Sequence, residues 1–142
     1  MPKGTIAIIG SETLVGREIR ELLSERGLDS DVELLSEGDQ ILSAEEDEPA
    51  VLIELSADAL EDAGTVVLAG SAESSRKALQ LAPAAATIID VSGALEDEPE
   101  ARITGEPSGK RIFRVVPHPA AVVLARILRP VHAFQPIEHS VV

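Results

Sequence analysis

Two short stretches of the 142-residue chain carry residue types that could do chemistry. The first, Gly10-Ser11-Glu12-Thr13-Leu14-Val15-Gly16, follows the apolar run Thr5–Ile9 and precedes Arg17-Glu-Ile-Arg-Glu-Leu-Leu23. A glycine-bounded turn between strand and helix offers backbone N–H groups to an anion, as a dinucleotide pyrophosphate requires. Gly10 permits a sharp exit from the strand, and Gly16 lets the helix lie close to the sheet. The spacing is Gly-x-x-Thr-x-x-Gly. Thr13 stands where a glycine would let the backbone approach the pyrophosphate, and Glu12 puts a negative charge where phosphate would sit. The turn therefore reads first as a nucleotide site, the alternative being a doubly wound domain that has stopped binding one.

The second stretch, Val116-Pro-His118-Pro-Ala-Ala121, leads from a strand into a helix. His118 sits at a strand's C-terminal edge, where ligands bind in such sheets, and could serve as a general base. Held between Pro117 and Pro119, it reads first as a structural residue. A third, weaker candidate is Ser36-Glu37-Gly38-Asp39 at the end of the second strand. An acid there accepts a ribose 2′-hydroxyl and favours NAD over NADP; the alternative is a plain polar turn. The chain has no cysteine, which excludes a thiolate nucleophile, a disulfide and a thiolate metal site. His132 and His139 lie too far from other ligand types to suggest a metal.

These residues need elements to hold them. Short apolar runs bounded by Gly, Pro, Ser or acids predict strands at Thr5–Ile9, Val32–Leu35, Val51–Leu55, Val66–Ala69, Thr87–Val91 and Ile112–Val116. Leu14, Val15, Ile19, Leu22 and Leu23 recur at helical spacing, with Gly27 as the stop. Ser56–Asp62 reads as a short helix or turn, Ala72–Leu81 as a second helix stopped by Pro83. Ala120–Leu128 reads as a third, with Pro119 near its first turn and Pro130 just past its end. Strands alternating with helices predict an α/β domain of the Rossmann type, a doubly wound and mostly parallel sheet. The acidic run Glu45–Glu48 predicts a solvated loop, and Glu96–Lys110 a long polar excursion.

Composition agrees. Hydrophobic residues make up 44 % and charged residues 26 %, as in a soluble globular chain. Aromatics are only 1 %, so the core must be aliphatic, as in parallel sheets. No stretch approaches the ~18 apolar residues of a membrane span, and no signal peptide is visible, so the cytoplasm is the expected compartment. Residues 1–62 hold 17 acids against 4 bases, which accounts for the whole net charge of −13. That field disfavours nucleic acid, anionic membranes and multiply phosphorylated ligands, or it is simply a solubility surface.

The series Ile6-Ala-Ile-Ile-Gly10 with Leu14-Val-Gly-Arg-Glu18, then Val67-Leu-Ala-Gly70-Ser71, then Ile88-Ile-Asp-Val-Ser92, then His118-Pro119, resembles the N-terminal half of the aspartate-semialdehyde dehydrogenases, oxidoreductases of amino-acid biosynthesis. The resemblance implies a cofactor turn at Gly10 and Gly16; with the turn and strand-end readings above, the candidate cofactor residues there are Gly10, Ser11, Glu12, Thr13, Leu14, Val15, Gly16 and Glu37. It implies a loop along the nicotinamide at Ala69, Gly70 and Ser71, and a flanking segment at Asp90 and Ser92. The family's catalytic cysteine falls at Ala121, and an arginine that holds anionic substrate falls at about Glu96. The resemblance thus implies an NAD(P)-binding domain over 1–130 and the start of a second, dimerising catalytic domain at 131–142. The expected protein is a homodimer with weak or lost NAD (or NADP) binding and without the phosphorylating dehydrogenase activity. The alternative is a non-catalytic dimerising or regulatory protein that keeps the fold alone.

Overall fold

The computed structural model describes residues 4–28, 31–36, 53–102 and 113–138. Its elements run β1 (Thr5–Ile9), α1 (Leu14–Glu25), β2 (Val32–Ser36), β3 (Ile53–Glu54), a 3₁₀ turn (Asp58–Leu60), β4 (Ala63–Leu68), α2 (Ala72–Leu81), β5 (Thr87–Asp90), β6 (Phe113–Val115) and α3 (Pro119–Phe134). The six strands form one sheet in the order β3-β2-β1-β4-β5-β6, and every pairing is parallel. The doubly wound α/β expectation holds. Among the described residues no helix is long and apolar enough to cross a membrane.

The order carries a functional consequence. The chain winds outward from β1 to β3, then returns to the other side of β1 and winds outward from β4 to β6. β1 and β4 are therefore the switch point, and a crevice opens beyond their C-terminal ends. The register aligns those ends. Ile9 pairs with Leu35 and Leu68, Leu68 with Asp90, and Asp90 with Val115. The turns that follow β1, β4, β5 and β6 consequently share one edge.

The sheet core is aliphatic. Ala7, Ile9, Leu35, Val66, Leu68 and Ile88 are buried in one cluster, with Ala78 of α2, Leu60 of the 3₁₀ turn, Leu95 and Phe113. Ile8 and Val67, alternate residues of the same strands, are also buried, on the opposite face. Burial on both faces is why these strands read as near-continuous apolar runs.

Boundaries differ from expectation in several places. β4 begins at Ala63, earlier than Val66, because Ala63 still pairs with Thr5. Among the described residues β3 runs Ile53–Glu54, residues 51 and 52 of the expected strand lying outside them, and Leu55, though buried, lies beyond its end. Part of the 96–110 excursion is strand-like. Arg102 bridges to Arg114 in parallel, with the Arg102 N–H donating to the Phe113 carbonyl at 3.1 Å. Residues 37–52 and 103–112, including the Glu45–Glu48 run, lie outside the described residues.

Two helices also depart. Pro130 lies inside α3, which continues to Phe134. A mid-helix proline loses one hydrogen bond and crowds the preceding turn. The helix resumes beyond it, and its end is closed by the Gln135 N–H on the Val131 carbonyl at 2.7 Å and the Ile137 N–H on His132 Nδ1 at 3.0 Å. In α1 the sole buried residue is Gly16, whereas Leu14 is 70 % and Val15 47 % exposed. The glycine, not the leucines, makes the closest approach. A Cβ on Gly16 would lie 2.2 Å from the Gly10 carbonyl oxygen and 2.8 Å from Ser11 Cα. Gly16→Ala must lift α1 off the end of β1, and a loss of about 2 kcal/mol or more in urea unfolding is expected. A change under about 0.5 kcal/mol would show that this contact does not anchor the helix.

Candidate functional site

The glycine turn sits at the switch point. Gly10 adopts φ +74°, the left-handed conformation that glycine tolerates. A Cβ there would meet Gly70 Cα at 2.4 Å, so the turn after β1 and the loop after β4 touch backbone to backbone. The Gly10 N–H donates to the Leu35 carbonyl at 3.0 Å, and the Ala69 N–H to the Ile9 carbonyl at 2.9 Å, extending the ladder to the edge.

Thr13 is the N-cap of α1, with ordinary extended dihedrals that do not require glycine. Its Oγ1 accepts from the Gly16 N–H at 3.0 Å and lies 2.8 Å from the Gly10 carbonyl and 3.0 Å from the Ala69 carbonyl. One hydroxyl thus caps the helix and ties the two loops together. The Arg17 N–H bonds the Thr13 carbonyl at 2.9 Å. Of the first-turn donors, the N–H groups of Leu14 and Val15 have no acceptor among the described residues. Ser11 is only 3 % exposed, and its Oγ is the one buried side-chain polar atom among the described residues without a hydrogen-bond partner. Glu12 is exposed beside it. The backbone fits an anionic phosphate group, with a helix N-terminus, two open donors and close-packed glycines. Glu12 opposes such a group electrostatically.

The other predicted residues fall on the same edge with different roles. Ala69 is buried and Gly70 half-buried. Ser71 is the N-cap of α2, its Oγ accepting from the Ser74 N–H at 3.2 Å. Asp90 is fully buried. Its Oδ1 accepts from the Ser92 N–H at 2.9 Å and the Ser92 hydroxyl at 2.6 Å, and its Oδ2 accepts from the Leu95 N–H at 3.0 Å. Ser92 Oγ also lies 3.1 Å from Ser75 Oγ. The Asp90 carboxylate is therefore turned into its own loop, and that loop is pinned to α2. Sequence reasoning missed Ser75, which carries no signal beyond being a small polar residue in a helix.

His118 is the N-cap of α3, its Nδ1 accepting from the Ala120 N–H at 3.2 Å. Ala121 is exposed in the first turn of α3, and its N–H donates to the His118 carbonyl at 2.9 Å. Its segment joins the others through the Val116 N–H on the Asp90 carbonyl at 2.7 Å. Glu96 is exposed in the loop after β5, and Glu37 lies outside the described residues.

Asp90→Ala removes the acceptor for three donors, two of them backbone N–H groups. It is expected to cost about 2–4 kcal/mol in chemical denaturation. A cost below about 1 kcal/mol would mean that the carboxylate does not organise this loop.

No protein-family model matches the sequence, and no curated protein matches it. Solved structures do match in fold. A probable aspartate-semialdehyde dehydrogenase from Pseudomonas aeruginosa superposes with a TM-score of 0.64 at 23 % identity, over 91 % of this chain and 42 % of that one. Aspartate semialdehyde dehydrogenase II from Vibrio cholerae superposes with a TM-score of 0.64 at 15 % identity, over 95 % of this chain and 44 % of that one. The same enzyme complexed with ASA gives 0.62 at 14 % identity, over 95 % and 49 %. The chain spans less than half the length of each of these structures, and across that span it has the Rossmann-like fold of a part of the aspartate-semialdehyde dehydrogenases.

Proposed function

We propose that this chain is the nucleotide-binding domain of a semialdehyde-dehydrogenase-like protein that lacks the phosphorylating dehydrogenase reaction. The observation that carries this reading is Ala121. It sits in the first turn of α3, at the edge shared with the glycine turn, where a thiolate would gain from the helix N-terminus. Thioester chemistry needs that thiolate to attack the aldehyde carbonyl, and an alanine methyl offers no lone pair. No other residue supplies a thiol, since the chain has no cysteine.

The cofactor, when bound, supplies hydride-transfer chemistry. Toward it this chain contributes the Leu14 and Val15 N–H groups as phosphate donors and the Gly10–Gly70 contact as a close-lying floor. Glu12 adds a repelling charge, so weak NAD binding is the expected behaviour. Homodimer formation through a second domain, and a cytoplasmic location, belong to the same reading.

A second reading is favoured by the inward commitment of Thr13 and Asp90. A non-catalytic dimerising or regulatory protein would keep the fold for its interfaces and bind no nucleotide. Titration with NAD and NADP, read by thermal shift, separates the two, because only a binder is stabilised by ligand.

Assay of the whole protein with aspartate semialdehyde, NAD or NADP, and phosphate should show no phosphate-dependent turnover; a rate near that of an ordinary dehydrogenase would refute the proposal. Ala121→Cys tests the position itself. Its thiol, the only one in the chain, should ionise below the ordinary ~8.5 of a free cysteine, measured as the pH dependence of disulfide-reagent labelling. An ordinary midpoint would remove residue 121 from any activating position.

A further inference from the structure

We infer that Thr13 sets the nucleotide affinity of the glycine turn, its hydroxyl occupying a helix N–H that would otherwise be open to a phosphate oxygen. The inference rests on the reading of this turn as a nucleotide site. It departs from a simple loss of glycine. Thr13 has extended dihedrals, so its backbone is not strained, and the change acts through the side chain. Oγ1 takes the Gly16 N–H at 3.0 Å, as a ligand oxygen could. It is held in place from behind by two carbonyls, Gly10 at 2.8 Å and Ala69 at 3.0 Å, which share its single proton. The Gly10 carbonyl also accepts from the Thr13 N–H at 3.0 Å, so the hydroxyl is held chiefly by the Ala69 carbonyl, which would lose its side-chain donor if the hydroxyl swung away, and Gly16 stays capped whether or not ligand is present. At the first turn of α1 a phosphate meets the Leu14 and Val15 N–H groups, with the unpartnered Ser11 hydroxyl in the same turn and the exposed Glu12 beside them.

The side chain also fills the space that a glycine would leave open at the turn. Thr13 is thus an internal substitute for one phosphate contact and a fastener between the β1 and β4 loops. Both roles use the same oxygen, so substitution separates the oxygen from the Cβ rather than one role from the other. Serine keeps the oxygen, alanine removes it but keeps a Cβ, and glycine removes both.

The test is calorimetric titration of NAD into the full chain as wild type, Thr13→Gly, Thr13→Ala and Thr13→Ser, with far-UV circular dichroism confirming that each is folded. Thr13→Gly should bind about 10-fold tighter than wild type or more, the worth of one hydrogen bond to an anionic group. Thr13→Ala should also bind tighter, and Thr13→Ser should match wild type. The Gly16 amide resonance should shift on adding NAD in the glycine and alanine variants only, a change that a purely structural residue would not produce. Wild-type binding equal to that of both Thr13→Gly and Thr13→Ala overturns the inference and leaves the nucleotide reading intact. Absence of binding in every variant overturns both. Should Thr13→Gly fail to fold, Thr13→Ala decides alone.

Discussion

The structure turns on the contact between Gly10 and Gly70. The exits of β1 and β4 come so close that a Cβ on Gly10 would lie 2.4 Å from Gly70 Cα. That contact sits at the point where the winding direction of the sheet reverses, so it defines the floor of the crevice in which a doubly wound fold binds its ligand. Gly16 extends the same constraint, since the first turn of α1 rests on the Gly10 carbonyl. Three glycines thus bring a helix N-terminus, a strand end and a second loop within backbone contact, and the other loops of that edge follow from the strand register.

Around this floor the polar side chains are largely bonded to the protein's own backbone. Thr13 joins two carbonyls and a helix N–H, Asp90 serves three donors of its own loop, and Ser71 and His118 cap helices. Buried polar groups need partners, and here those partners come from the protein itself. The outcome is an edge with the layout of a cofactor site whose side chains are largely committed to architecture. Leu14, Val15 and Ser11 are the exceptions, the first two through their backbone donors and the third through an unpartnered hydroxyl. Along α3, Val123, Ile127, Val131 and Phe134 form one exposed stripe, with Phe134 93 % exposed.

Much of the fold was legible because parallel strands buried on both faces leave unbroken aliphatic runs. β1 and α2 match their expected bounds, and β2, β5 and β6 lie within one residue of theirs. What escaped was set by contacts distant in sequence. Periodicity placed Leu14 and Leu22 on the buried side of α1, but the helix docks through Gly16, and both leucines are exposed. Pro130 looked like a terminator, yet the helix continues through it, which a local rule about proline does not foresee. Ala63 joins β4 only because Thr5 lies beside it.

The residue string alone determined the fold class, the place of the turn and the absence of a thiol at position 121, because aliphatic runs, glycine spacing and missing sulfur are local properties. The tertiary structure alone decided what the polar residues do. Thr13 became a latch because β4 brings the Ala69 carbonyl within reach of its hydroxyl, 56 positions along the chain. Asp90 became a loop organiser because burial in the sheet edge left backbone N–H groups as its partners. Hydrogen-bond partners depend on which strands lie side by side, and strand adjacency is a property of the assembled sheet.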